Sequence, residues 1–138
     1  VLMHIPGTPQ TMHQIPEYRN IINEVSDYFD KKISVLKSHG VEQIILDPGF
    51  GFGKTVDQNY LLLKNLSAFH HFHLPILAGL SRKSMINKVL QIRADKALNG
   101  TTVLNTIALL NNASILRVHD VIEAREVITL VEQYRNVG

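Results

Sequence analysis

Apolar positions along the chain alternate between two rhythms. Short, evenly apolar runs rich in branched side chains read as strands buried on both faces, over Val1–His4, Ile44–Asp47, Leu74–Leu80 and Ser114–Asp120. Between them the apolar positions recur with a period near 3.6, the signature of amphipathic helices. The first helix is predicted from Pro16 and Glu17 to about His39, with Ile22, Val25, Phe29, Ile33 and Leu36 as its stripe and Gly40 as its left-handed stop. The second starts at Asp57 as N-cap, turns Leu62, Leu66 and Phe69 to one side, and ends at His70, His71 and His73. Met85 to Leu90 is a short apolar helical segment. Asp95 is the predicted cap of a helix reaching about Asn112, with Val103, Leu104, Ile107 and Leu110 inward and Gly100 and Ala108 small enough to approach a sheet. Asp120 and Glu123 form an Asp-x-x-Glu capping box for the last helix, whose stripe is Ala124, Val127, Val131 and Tyr134.

Strand then helix, repeated about four times with short connections, predicts an α/β protein with a parallel sheet and right-handed crossovers. Four βα units make half of a (β/α)8 barrel; an open flavodoxin-like sheet is the rival. Length changes little: 138 residues suit one domain or part of a larger one. The opening at Val1 inside an apolar run suggests a segment cut from a longer protein. A formal charge of +2 gives no pointer to nucleic acid or a membrane surface, and no apolar run reaches spanning length. The absence of cysteine removes disulfides and thiol chemistry and fits a reducing compartment such as the cytoplasm.

The candidate chemistry gathers where the strands end. Asp47 closes the second strand and is followed by Pro48-Gly49-Phe50-Gly51-Phe52-Gly53-Lys54. Proline ends the ladder, and the glycines permit tight backbone and close approach to a ligand. The spacing fails for a P-loop, which needs four residues between Gly and Gly-Lys-Thr, and for the dinucleotide fingerprint Gly-x-Gly-x-x-Gly. A carboxylate, a sharp turn and two phenylalanine rings suit a flat polar heterocycle; a glycine-rich turn capped by Asp47 is the plainer alternative. The third strand runs into Ser81-Arg82-Lys83-Ser84, two hydroxyls and two cations. A solvated turn with a helix cap at Ser81 or Ser84 is the ordinary explanation of such a loop. Arg117 and His119 lie two apart near the end of the fourth strand, so they share a face and need an anion. Met3 ends the first strand, and His4 beside it reads as structural rather than as a metal ligand.

Taken together, Asp47 to Lys54, Gly79-Leu80-Ser81-Arg82-Lys83-Ser84, Arg117-Val118-His119-Asp120-Val121 and the opening Met3-His4 with Gly7-Thr8-Pro9 and Thr11-Met12 resemble the dihydropteroate synthase family. The resemblance covers nearly the whole chain in order. It implies a TIM barrel, of which residues 1–138 form the carboxyl-terminal half of a pterin-binding domain without its earlier strands. It implies a transferase of folate biosynthesis that condenses a 7,8-dihydropterin hydroxymethyl diphosphate with 4-aminobenzoate, and that sulfonamides inhibit. Asp47 would pair with the pterin's parallel N–H donors, and Lys83 would donate to its ring oxygen and nitrogen. Met3, Gly79 and Phe52 would wall the ring. Arg117 and His119 would hold the diphosphate. Phe50, Phe52 and Ser81 would help form the aminobenzoate pocket. The resemblance also implies magnesium, with ligands in the absent half, a homodimer, and an inactive isolated segment.

Overall fold

A computed structural model describes residues 1–7 and 17–138 of the chain. The elements run β1 (Leu2–Met3), α1 (Ile21–Ser38), β2 (Leu46–Asp47), α2 (Val56–Lys64), a 3-10 helix (Leu66–Phe72), β3 (Leu77–Ala78), α3 (Ser84–Leu90), a 3-10 turn (Ala94–Lys96), α4 (Leu98–Leu110), β4 (Ile115–Leu116) and α5 (Val121–Asn136). The molecule is α/β, as expected. β1 pairs with β2 and β3 with β4, all parallel, and a Leu46–Ile76 bridge joins the two pairs. Spatial order therefore follows chain order, without the reversal at a switch point that marks doubly wound sheets. The ladders are shorter than the apolar runs. Pro75 has no N–H to donate, although its carbonyl accepts Leu46 N–H at 2.9 Å. Pro48 ends β2 as its ring predicts.

Helix α1 starts later than expected. Asn20 caps it, accepting from the N–H groups of Ile22 and Asn23 at 3.1 Å. Glu24 reaches back to the N–H of Arg19 and Asn20, so residues 17–20 lie outside the helix; Pro16 lies outside the described residues. Its end is as predicted. Gly40 has φ +78°, and Val41 N–H returns to the Leu36 carbonyl at 3.0 Å. The inward stripe of Ile21, Val25, Phe29 and Ile33 meets Phe69, whose ring stands edge-on to Phe29 at 5.7 Å. Leu46, Leu62, Leu66 and Leu80 fill the rest of that core, each fully buried.

Three other local expectations about caps fail, and so does the ordinary capping explanation of the loop after β3. Thr55, not Asp57, caps α2, in a reciprocal box with Gln58. Neither Ser81 nor Ser84 caps α3; Lys83 occupies the cap position without a side-chain bond. Asp95 sits in the 3-10 turn, and α4 begins after Ala97. Asp120 stands before α5, but its carboxylate is taken by Arg82, so no capping box forms with Glu123.

The buried face of α4 is also rotated. Gly100, Thr101, Leu104, Asn105, Ala108 and Leu109 point inward, whereas Val103, Ile107 and Leu110 are left substantially exposed. Thr101 explains part of this, because its hydroxyl accepts the Arg82 N–H at 3.0 Å and must face the sheet end. On α5 the stripe of Ala124, Val127 and Val131 is buried, but Tyr134 is exposed. Gly100 packs against α3 rather than a sheet: an added Cβ would lie 2.4 Å from Ile86 Cγ2. Gly100→Ala gains helix propensity of about 1 kcal/mol. It also forces a methyl group against a β-branched core side chain, which costs about 1–3 kcal/mol. A net loss of stability in denaturant titration is the expected outcome.

Candidate active site

The end of β2 sets the site. Asp47 is 0% exposed, and its register partner across the ladder is Met3 at the end of β1. Asp47 Oδ1 accepts Gly49 N–H at 2.8 Å. Gly49 needs φ +70°, and any Cβ there would stand 2.0 Å from the His4 carbonyl oxygen, so only glycine fits. Arg117, from the end of β4, brings Nη2 to 3.1 Å from Asp47 Oδ2. That approach is an ion contact without hydrogen-bond direction, and Oδ2 has no donor aimed at it. The anion that Arg117 required is thus Asp47, and half of the Arg117 side chain remains exposed. Gly79 makes this possible. Its own β3 end lies beneath the guanidinium, and a Cβ there would come within 2.7 Å of Arg117 Nη2.

Lys83 reaches the same rim from the loop after β3. Its Nζ donates to the Phe50 carbonyl and lies 4.9 Å from the centre of the Phe52 ring. Burial lowers its pKa to about 8, opposed by the charge of Asp47. Phe52 is half-buried beside it, as a ring wall requires. Phe50 is different. Its side chain is 0% exposed and belongs to the hydrophobic core, so only its carbonyl serves the rim. The expectation that its ring lines the aminobenzoate pocket is corrected on that ground. Ser81, at 5% exposure, points to β4, where its hydroxyl meets His119 Nδ1 at 2.9 Å.

Sequence reasoning gave Arg82 a place among the rim cations, but it is a strut. At φ +56° it sends Nε and Nη2 to the two Asp120 oxygens at 3.0 and 2.6 Å, and Nη1 to the carbonyls of Ala94 and Asp95. That fork raises the Arg82 pKa and lowers that of Asp120. Two polar residues were given no role by the sequence. Lys54 is buried with Nζ on the carbonyls of Gly49 and Phe52 at 3.0 Å and of His4 at 3.5 Å. Asn59 accepts Gly51 N–H at 2.7 Å and donates to the Thr55 carbonyl at 2.7 Å. Together they pin the glycine loop. A lysine closing a glycine run was the available signal for the first; nothing in the pattern marked the second.

His4 is structural, as expected: 6% exposed, edge-on to Tyr28 at 5.0 Å, with its backbone N–H on the Asp47 carbonyl. His70, His71 and His73 lie about the end of the 3-10 helix, with His71 Nδ1 2.6 Å from the Ala68 carbonyl. Among the described residues no three of His, Cys, Asp or Glu converge to hold a metal. They also include no helix long and apolar enough to cross a membrane.

The rim thus defines a class of protein: a parallel α/β chain with a buried carboxylate ringed by cations at the strand ends. Comparison with known proteins carries this further. The profile of the pterin binding enzyme family matches residues 1–119, and the chain belongs to that family. It is 45% identical over 133 residues to the dihydropteroate synthase of Escherichia coli K12, covering 95% of this chain and 47% of that protein. The Yersinia pestis dihydropteroate synthase, solved with a sulfonamide drug complex, superposes with TM-score 0.92 at 39% identity, over 96% of this chain and 49% of its own. The Thermus thermophilus enzyme in complex with 4-aminobenzoate gives TM-score 0.92 at 34% identity, over 98% of this chain and 56% of its own. The chain spans about half the length of the relatives it matches.

Two outcomes test the geometry. Gly79→Ala should displace the Arg117 guanidinium and weaken anion binding while circular dichroism stays native, because Gly79 has no positive φ to strain. His4 should make the fold acid-labile. Burial and the Lys54 charge lower its pKa from 6.5 to about 4, so the unfolded chain binds the extra proton in that window. Stability should therefore fall as pH drops from 6.5 to 4, by roughly 3 kcal/mol in total, and His4→Gln should remove most of that slope.

Proposed function

We propose that the chain is the carboxyl-terminal half of a dihydropteroate synthase, a pterin-binding TIM-barrel domain of which the described elements supply four βα units. The observation that carries this is Asp47 Oδ2, a fully buried carboxylate oxygen with no donor aimed at it. A pterin edge offers two parallel N–H donors to such a carboxylate. Met3 and Phe52 would flank the ring, and Gly79 would leave it room. Lys83 would donate to the ring's oxygen and nitrogen. Arg117, half exposed, would leave Asp47 for the diphosphate when substrate arrives, and His119 stands two residues further along. In the reaction the bond from the hydroxymethyl carbon to the diphosphate oxygen breaks, with its electron pair on that oxygen. The aminobenzoate nitrogen then bonds to the carbon, which is stabilised by the pterin, and releases a proton to water. Fixed positive charge where negative charge develops is the protein's main contribution.

Magnesium does not fit the described residues, which offer no cluster of ligands for it. We assign its ligands, if the full-length enzyme carries it, to the other half. Exposed Val103 and Leu110 of α4 and Leu130 and Tyr134 of α5 support a homodimer, and a cytoplasmic setting accords with the lack of cysteine. The full-length enzyme should release diphosphate and form dihydropteroate. Asp47→Ala and Lys83→Ala should each lower turnover by about a hundred-fold or more; near-normal rates in both would overturn the assignment. Substrate binding should weaken as pH rises past about 8, where Lys83 loses its charge. The 138-residue chain alone should give no measurable product.

A further inference from the structure

The resemblance to the family puts Ser81 in the wall of a substrate pocket, but the geometry gives it other work. Its Oγ accepts the His119 backbone N–H at 3.2 Å and lies 2.9 Å from His119 Nδ1. A serine hydroxyl has one proton and two lone pairs. One lone pair is taken by the backbone N–H. Among the described residues, Nδ1 is the acceptor within reach of the proton. Were Nδ1 protonated instead, it would donate to Oγ, and the hydroxyl proton of a residue 5% exposed would have no acceptor. Hydrogen-bond satisfaction therefore leaves Nδ1 bare and puts the ring hydrogen on Nε2. The His119 ring is exposed at the rim, and Nε2 has no hydrogen-bond partner among the described residues.

Resting on the function above, we propose that Ser81 is a positioning residue: it holds His119 in the Nε2–H tautomer and aims that N–H at the departing diphosphate. Arg117 supplies charge to the leaving group, and His119 supplies a directed donor. Arg82, next to Ser81, grips Asp120, next to His119, so the two loops are tied at consecutive positions and the serine cannot drift from the ring. This division of labour makes Ser81 act through His119 rather than by touching substrate.

The test is nitrogen spectroscopy of the full-length enzyme labelled with 15N-histidine, with His119 assigned by its absence in His119→Gln. Wild type should show Nδ1 unprotonated and Nε2 protonated. Ser81→Ala should give a mixture of tautomers, and Ser81→Thr, which keeps a hydroxyl, should restore the single form. In steady state Ser81→Ala should lower kcat about ten-fold with KM for both substrates little changed. It should add nothing in the His119→Gln background. A protonated Nδ1 in wild type overturns the proposal without any variant, as does an unchanged tautomer in a folded Ser81→Ala enzyme. An enzyme with the expected tautomer shift that makes no dihydropteroate would sink the catalytic reading while supporting the serine–histidine geometry.

Discussion

A carboxylate with no solvent contact at the end of a strand has to be matched by positive charge and by hydrogen-bond donors, or it will not stay ionised. Asp47 imposes that requirement, and much of the rim answers it. The Gly49 N–H satisfies one oxygen directly, and the Arg117 guanidinium stands against the other. Lys54 and Lys83, both partly desolvated and both with pKa lowered to about 8, feel its charge. The cations come from three different strand ends, so the carboxylate organises loops that are distant in sequence. That second oxygen has no hydrogen-bond donor, because the arginine meets it at an angle unsuited to one.

The fold class, the strand positions and the inward stripe of α1 were legible because burial leaves a strong periodic trace. So was the strand-end position of Asp47, Lys83, Arg117 and His119, because charged residues there stand out against apolar runs. What escaped was whatever depended on partner choice. Asp120 looked like a helix cap until Arg82 claimed it, and Arg82 looked like a free cation until Asp120 and two carbonyls claimed it. Phe50 and Phe52 are indistinguishable as letters, yet one fills the core and the other faces the rim. Alternation puts positions two apart on the same side of a strand, but a glycine turn decides for itself which ring is inside. The rotation of α4 hid for a related reason. Apolar residues lie on several sides of that helix, so a hydrophobic count could not choose its inward face; Gly100 was read as a close-packing position, but the Thr101 hydroxyl beneath the Arg82 N–H was not.

Close contact is the second theme of the site. Gly49 admits the His4 carbonyl and Gly79 admits the Arg117 side chain, each at a distance that one more carbon would forbid. Lys54 then gathers three carbonyls from β1 and the glycine loop around a single ammonium, doing with one side chain what a bound cation does elsewhere. The loop after β2 is thereby stiff without regular secondary structure. Such stiffness favours recognition of a rigid planar ligand, since little order is left to be imposed on binding.

Because each strand pairs with the next in the chain, and α1 meets α2, α2 meets α3 and α4 meets α5, most partners in this molecule are near neighbours along the polypeptide. Topologies of that kind close short loops before long ones, although each parallel pairing must first close a helical crossover. They also add up stepwise, in the manner of a stacked solenoid, where each unit is steadied by the one before it. A nascent chain of this design can lay down its units in the order the ribosome delivers them.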